Sequence, residues 1–209
     1  MSEFDRLPDI KRSMRLTEIE NLLDTDACKI FKCTREDGGQ IFSFKIIFTT
    51  RLICLTGDCG DLLLRPNWDY TLPWLRGSVN DVNYLLEKIP YELKDSYTEY
   101  CAEYGKNAAK EAFKVIDEAK DNDNIALVTY HQYVDELESF CDKCDEVRSV
   151  KEFYDEYINF IENIKLDSRD VFEGVNVIQY TESTVYKVAQ LQEFCRLYEE
   201  RFIKNAQNI

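Results

Sequence analysis

Between Cys28 and Arg65, strand-forming runs alternate with turn-forming sequences, and this pattern restricts the possible folds more than any other stretch of the chain. Cys28–Thr34 places Cys28, Ile30 and Lys32 on one side and Phe31 and Cys33 on the other, the period-2 alternation of a half-buried strand. Glu36-Asp37-Gly38-Gly39 follows, and its Asp-Gly and Gly-Gly pairs supply the positive φ that a tight hairpin turn requires. Gln40–Thr49, rich in Phe and Ile, predicts a second strand. Thr49-Thr50-Arg51 turns the chain into Leu52–Thr56, and Gly57-Asp58-Cys59-Gly60 turns it again into Asp61–Arg65. Connections this short join antiparallel neighbours. The expected assembly is therefore a four-stranded antiparallel β-meander, with one face on a core and the other in water unless something covers it.

The flanking sequence reads differently. Leu16–Leu23 predicts a short helix, opened by a Thr17/Glu20 capping box in which hydroxyl and carboxylate satisfy free backbone N–H groups. Pro66–Gly77 holds both tryptophans and two prolines and predicts an irregular loop folded over the sheet edge. From Ser78 the pattern turns helical. Ser78 caps Val79–Lys88, with Val82, Leu85, Leu86 and Ile89 as its apolar stripe, and Pro90 opens a helix running to about Lys120. Asp121-Asn122-Asp123-Asn124 is a polar turn, and Ile125–Cys144 is helical by spacing. Ser149 and Glu152 form a second capping box, before a helix that buries Phe153, Tyr157, Ile161 and Ile164. Val175, Val177 and Ile178 favour a short strand within 171–180, and Thr184–Asn205 closes the chain as a helix with one apolar face. The expected class is α+β: residues 1–77 as the meander with a short helix and a Trp-containing loop, then residues 78–209 as an acidic region of about five helices, the two forming separate regions or one continuous domain.

Charge divides along the same line. Residues 1–77 carry 11 Lys+Arg against 12 Asp+Glu, whereas residues 78–209 carry 15 against 28, so nearly all of the net −14 lies in the helical part. Such acidity argues against direct nucleic-acid binding, which needs clustered Lys and Arg for phosphates, and in favour of a protein partner with a basic surface. No apolar run approaches the roughly 20 residues that span a bilayer, so no membrane association is expected. The first residues lack the basic-then-apolar order of a secretory signal, so a cytoplasmic location with eight reduced cysteines is expected.

Three motifs carry possible chemistry. Cys141-Asp142-Lys143-Cys144 is a C-x-x-C, but His131, the single histidine, lies ten residues upstream on the same predicted helix, about 15 Å away at 1.5 Å per residue. Asp58 and Asp61 could bind a hard cation or a small ligand, with Cys59 as a nucleophile, although Gly and Asp are also what hairpin turns use. Every Ser-His-Asp or Cys-His scheme would have to use His131, and no glycine-rich phosphate-binding motif occurs. No catalytic residue, metal or cofactor is assigned on this basis. For partner binding the candidates are Trp68, Tyr70, Trp74 and Arg76, because Trp, Tyr and Arg dominate binding hot spots.

Phe44-Lys45-Ile46-Ile47-Phe48-Thr49-Thr50-Arg51-Leu52-Ile53-Cys54-Leu55-Thr56-Gly57-Asp58-Cys59-Gly60-Asp61-Leu62-Leu63-Leu64, with Trp74 and Asn83-Tyr84-Leu85-Leu86-Glu87-Lys88 beyond it, resembles uncharacterised proteins carried by bacteriophages and prophages. The resemblance covers about residues 40–90 and brings no catalytic residues with it. It implies a phage accessory protein acting inside a bacterial cell, of the kind that inhibits host machinery, CRISPR complexes or other defence proteins by occupying basic surfaces. The leading expectation is a non-enzymatic interaction protein of this inhibitor type. Beside it stand a metal- or small-molecule-binding enzyme centred on the Gly57–Asp61 turn and a zinc-stapled structural domain.

Overall fold

The computed structural model describes residues 3–35, 37–121, 126–166, 175 and 177–204. A 3-10 turn (Glu3–Arg6) leads into α1 (Leu7–Met14), then β1 (Leu16–Asp24), β2 (Cys28–Arg35), β3 (Phe44–Thr49), β4 (Leu52–Gly57) and β5 (Leu62–Leu64). α2 (Thr71–Ser78), α3 (Val82–Leu86) and a 3-10 turn (Tyr91–Ser96) follow, then β6 (Thr98–Tyr100), α4 (Ala102–Asp121), α5 (Leu127–Glu146), α6 (Val150–Asn163) and β7 (Ile178–Tyr180). α7 (Glu182–Tyr198) continues into a π-helical turn (Glu199–Lys204). The class is α+β. The chain forms two compact units, Met1–Tyr97 with Tyr180–Ile209 and Thr98–Gln179, so the division does not fall at the 77/78 border that the charge asymmetry suggested.

The first unit is built on one antiparallel sheet in the order β1-β2-β3-β4-β5, five strands where four were expected. The additional strand is Leu16–Asp24, read from sequence as a helix. Two β-bulges explain the misreading. Leu16 and Glu18 stand opposite Arg35 and Thr34, and Asn21 and Leu23 opposite Phe31 and Ile30, so Thr17 and Leu22 are extra residues in β1. Each bulge resets the alternation, and apolar residues at 16, 19 and 23 take on helical spacing while still belonging to a strand. Thr17 and Glu20 therefore cap nothing.

The core face of the sheet carries Phe31, Cys33, Phe44, Ile46, Phe48, Ile53, Leu55, Leu62 and Leu64, all buried. α7 lies against it. The Phe194 ring sits 5.4 Å from both Phe31 and Phe48, and Tyr198 and Phe202 stand 5.5 Å and 5.9 Å from Phe31. α1 adds Leu7, Ile10 and Met14, α2 adds Leu72 and Leu75, and α3 adds Leu85 and Leu86 to the same core. α7 is buried nearly all round rather than along one face, as helices inside a core are. Its polar residues are accommodated locally: Glu193 accepts from the Arg196 guanidinium at 2.8 Å, and that guanidinium also donates to the Leu16 carbonyl at 2.9 Å. Thr181 caps the helix by accepting from Thr184 N–H. The Tyr97 carbonyl accepts from both Thr181 N–H and the Thr184 hydroxyl at 3.0 Å, which holds together the two points where the intervening segment leaves and re-enters this unit.

Several helical boundaries differ from expectation. Residues 71–78 are helical, because Pro73 lies in the first turn, where its missing N–H is not needed. Asp81, not Ser78, caps α3, accepting from Tyr84 N–H at 3.1 Å. The long helix expected from Pro90 is interrupted by the 3-10 turn and by β6, which pairs with β7.

In the second unit α4, α5 and α6 pack around Ala109, Ala112, Phe113, Ile116, Tyr133, Phe140, Phe153, Tyr157, Phe160 and Ile161. Phe140 stacks on Phe160 at 4.8 Å, and Phe153 on Tyr157 at 5.3 Å. Ser149 caps α6, accepting from Glu152 N–H, while the Glu152 carboxylate accepts from Arg148 N–H, one residue before the cap itself. The expected polar turn at Asn122–Asn124, residues 171–174 of the ambiguous segment and Asn205 lie outside the described residues.

A Cβ at Gly57 would fall 2.5 Å from the Ser43 carbonyl oxygen and 2.8 Å from the Phe44 Cβ. Gly57→Ala is therefore expected to destabilise the first unit by about 1–3 kcal/mol. Both tryptophans lie in this unit, so denaturant unfolding followed by tryptophan fluorescence reports it directly.

Candidate interaction surface

Arg65–Tyr70 connects the last strand of the sheet to α2, and its backbone is fixed from several directions. Arg65 N–H donates to the Lys88 carbonyl at 2.7 Å, and the Arg65 guanidinium pairs with Glu92 at 2.8 Å. The Arg51 guanidinium pairs with Asp69 at 2.7 Å, and the Thr71 hydroxyl donates to the Thr49 carbonyl at 3.0 Å. On this pinned segment Trp68 is 57% exposed and Tyr70 73%. A cleft between the β1–β2 turn, the β3–β4 turn and the start of α2 lies at the foot of Tyr70, lined by Asp26, Lys29, Thr49, Asp69, Leu72 and Pro73 among others.

The four expected partner-binding residues therefore divide. Trp68 and Tyr70 point outward. Trp74 is half-buried, packed on the core of its unit, with its ring 6.0 Å from Tyr84. Arg76 lies 5.7 Å from the centre of the Tyr198 ring and 3.4 Å from the Glu199 carboxylate, so it braces α2 against the end of α7. Two tyrosines not singled out from sequence join the exposed aromatics: Tyr91, 87% exposed, and Tyr84, over whose ring the Lys88 ammonium sits at 4.1 Å. The sequence signal for Tyr91 is Pro90-Tyr91 opening a short turn, which the helix expected from Pro90 obscures.

The Gly57–Asp61 turn is fastened to neighbouring backbone. The Asp58 carboxylate accepts from Phe42 N–H, and the Phe42 carbonyl accepts from the Gln190 amide at 3.1 Å. Phe42 is held at φ 65, unusual for a bulky residue, by these two bonds and by stacking of its ring on Tyr186 at 5.6 Å. Ser183 Oγ donates to the Cys59 carbonyl at 2.8 Å. Burial first, then the neighbouring Asp58 carboxylate, pushes the Cys59 thiol up to about 12, so it is neutral at physiological pH and a poor nucleophile. Beneath the turn lies Lys187, only 6% exposed, its ammonium 4.9 Å from the Tyr97 ring centre. Burial lowers its pKa, and the nearby Asp61 partly opposes that shift.

The other motifs are also embedded. Cys144 is buried, and burial raises its thiol to about 11; the Cys141 thiol is raised for the same reason. His131 lies at the start of the second turn of α5 with its ring 6.0 Å from Tyr130. Among the described residues no three or more His, Cys, Asp or Glu side chains gather as a metal site, and no helix is long and apolar enough to cross a membrane.

The two units differ in charge. Thr98–Gln179 carries 20 Asp+Glu against 9 Lys+Arg, a net of −11, whereas the sheet-containing unit carries 20 against 17. The acidic unit also exposes Val115, Leu127, Val128 and Ile158.

Because the folded pKa of Lys187 lies below its unfolded value, the unfolded chain holds the extra proton between the two, and stability rises with pH across that window. The parent protein is expected to gain stability relative to Lys187→Met as pH rises from neutral toward the ordinary lysine value, measured by urea unfolding of both at a series of pH values. No protein-family model, no curated protein and no solved structure matches this chain.

Proposed function

We propose that this chain is a non-enzymatic binding protein that anchors a protein partner through Trp68 and Tyr70 and is drawn to a basic surface on that partner by its acidic helical unit. The observation that carries the reading is the exposure of two large aromatic side chains on a segment immobilised by the Arg51–Asp69 and Arg65–Glu92 pairs and the Thr71–Thr49 hydrogen bond. Exposed aromatics on a rigid support bind without a large ordering penalty, which is the usual character of hot-spot anchors. The net −11 of Thr98–Gln179 supports the choice of a basic partner, since a concentrated field of one sign accelerates encounter with the opposite sign. The resemblance of residues 40–90 to phage and prophage proteins favours a host or defence protein as the target, with inhibition by occupancy as the outcome.

The reading predicts that Trp68→Ala combined with Tyr70→Ala weakens partner binding by about 10- to 100-fold while stability changes by no more than about 0.5 kcal/mol. The check is an affinity capture from bacterial lysate at low and high salt, read by mass spectrometry and followed by calorimetry on the captured partner with parent and variant. Salt-independent binding removes the steering component, because exposed charges are screened within about 10 Å at 0.1 M salt. Equal affinity of parent and double variant removes the anchor.

A further inference from the structure

One face of the five-stranded sheet is covered by α7, α1 and α2, and among the described residues of its unit no helix packs its apolar side chains on the opposite face. Register identifies the residues that share it. Leu23 stands opposite Ile30, Ile30 opposite Ile47, Ile47 opposite Cys54, and Cys54 opposite Leu63. These five side chains form one apolar row across all five strands, at right angles to them, with Leu52 beside it on β4. None of the six belongs to the packed core of either unit or to the apolar side chains packed against those cores. An antiparallel sheet that leaves a face in water normally makes that face polar; here its central row is Leu, Ile, Ile, Cys and Leu. Within the five strands, charge on this face is confined to one side of the row, where Glu20, Lys32 and Lys45 occupy successive strands; just past the end of β5 the register brings Arg65 opposite Leu52 on the other side. Lys32 and Lys45 are directly opposite each other, an arrangement of like charges that weakens a strand pair. On the other side of the row stand Cys28, Thr49 and Leu52, which carry no charge.

We infer that this face is the interface of a reversible homodimer in which two sheets pack face to face about a two-fold axis running along the apolar row. The occupant is a second copy because the surface is its own complement. A two-fold along the row lays Leu23, Ile30, Ile47, Cys54 and Leu63 against the same residues of the partner. It also carries the Lys32/Lys45 pair away from its own copy and over the partner's uncharged Cys28/Thr49 side. A sheet face with an apolar central row is matched by another sheet, as in the sandwich packing of two sheets about 10 Å apart, and the hollow lined by Lys32, Thr34, Lys45 and Thr56 lies to one side of that row. Five strands about 4.8 Å apart and about six residues long, at about 3.3 Å per residue, give a face of roughly 24 by 20 Å. Two such faces bury close to about 1,000 Å², at the lower limit for a specific interface and well under the roughly 1,600 Å² of a standard one. The dimer is therefore weak and concentration-dependent, with a Kd in the micromolar range.

Sedimentation equilibrium of the full chain from about 1 µM to several hundred micromolar tests this. A monomer–dimer equilibrium in the parent is expected. Ile47→Lys, which touches neither core, should leave the protein monomeric throughout while its circular dichroism and melting curve match the parent's. Ile47→Thr, which keeps the branched shape and a strand preference, should raise the dissociation constant at least about tenfold, and it guards against misfolding of the lysine variant. Trp68→Ala, on the aromatic surface, should dimerise like the parent. A parent that stays monomeric at every concentration overturns the inference. So does a dimer that survives both Ile47 substitutions, or one that Trp68→Ala dissolves, which would place the contact on the aromatic surface.

Discussion

Burial of α7 against the core face of the sheet is the contact on which the rest of the first unit depends. Phe194 packs on both Phe31 and Phe48, which also touch each other, and Tyr198 and Phe202 extend the aromatic packing over Phe31. Aromatic pairs at these separations add to the large apolar area that each ring removes from water. Because α7 is enclosed, its polar side chains reach the surrounding backbone. Ser183 holds the 57–61 turn, Gln190 holds Phe42, Gln192 holds the Val79 carbonyl at 3.2 Å, and Arg196 holds the start of β1. One helix thus sets the β4–β5 turn, the approach to β3, the end of α2 and the first strand.

Elements specified by local chemistry were legible in the sequence. The hairpins after β3 and β4 and the cap at Ser149 rest on residues within a few positions of one another. Elements specified by distant partners were not. β1 has the pattern of a helix in sequence because two bulges, visible only against β2, mask its alternation. β6 was hidden inside an expected long helix because its pairing with β7 joins residues about 80 positions apart. α7 looked one-sided because Lys187, Gln190 and Glu193 are polar by type, and only their tertiary surroundings bury them. The same limit applies to the surface. Composition singled out Pro66–Gly77 as rich in anchor residues, but the helical turn of α2 decides that Trp74 and Arg76 turn inward while Trp68 and Tyr70, ahead of the helix, face water.

The Gly57–Asp61 turn shows how a sequence that looks chemical can be structural in all its visible contacts. Its carboxylate orders a strained phenylalanine, its cysteine is protonated, and its last glycine leaves room for a lysine stem: a Cβ at Gly60 would lie 3.4 Å from the Lys187 Cε. Lys187 itself is an unusual core residue. Its aliphatic stem fills apolar space while its ammonium rests over the Tyr97 ring, a compromise that burial of a charge requires.

The order of elements along the chain has a consequence for how the protein is made. The sheet is complete by Leu64, yet the helix that covers it begins at Glu182, after the whole of Thr98–Gln179. During synthesis, at about 5–20 residues per second, the nascent sheet therefore waits about 6–24 s with its aromatic core face covered only by α1 and α2. The intervening helices, whose contacts are local, can fold during that interval. Vectorial synthesis thus leaves a window in which Phe31, Phe44 and Phe48 stand exposed to chaperones and to other nascent chains, and that window closes only when α7 emerges from the ribosome.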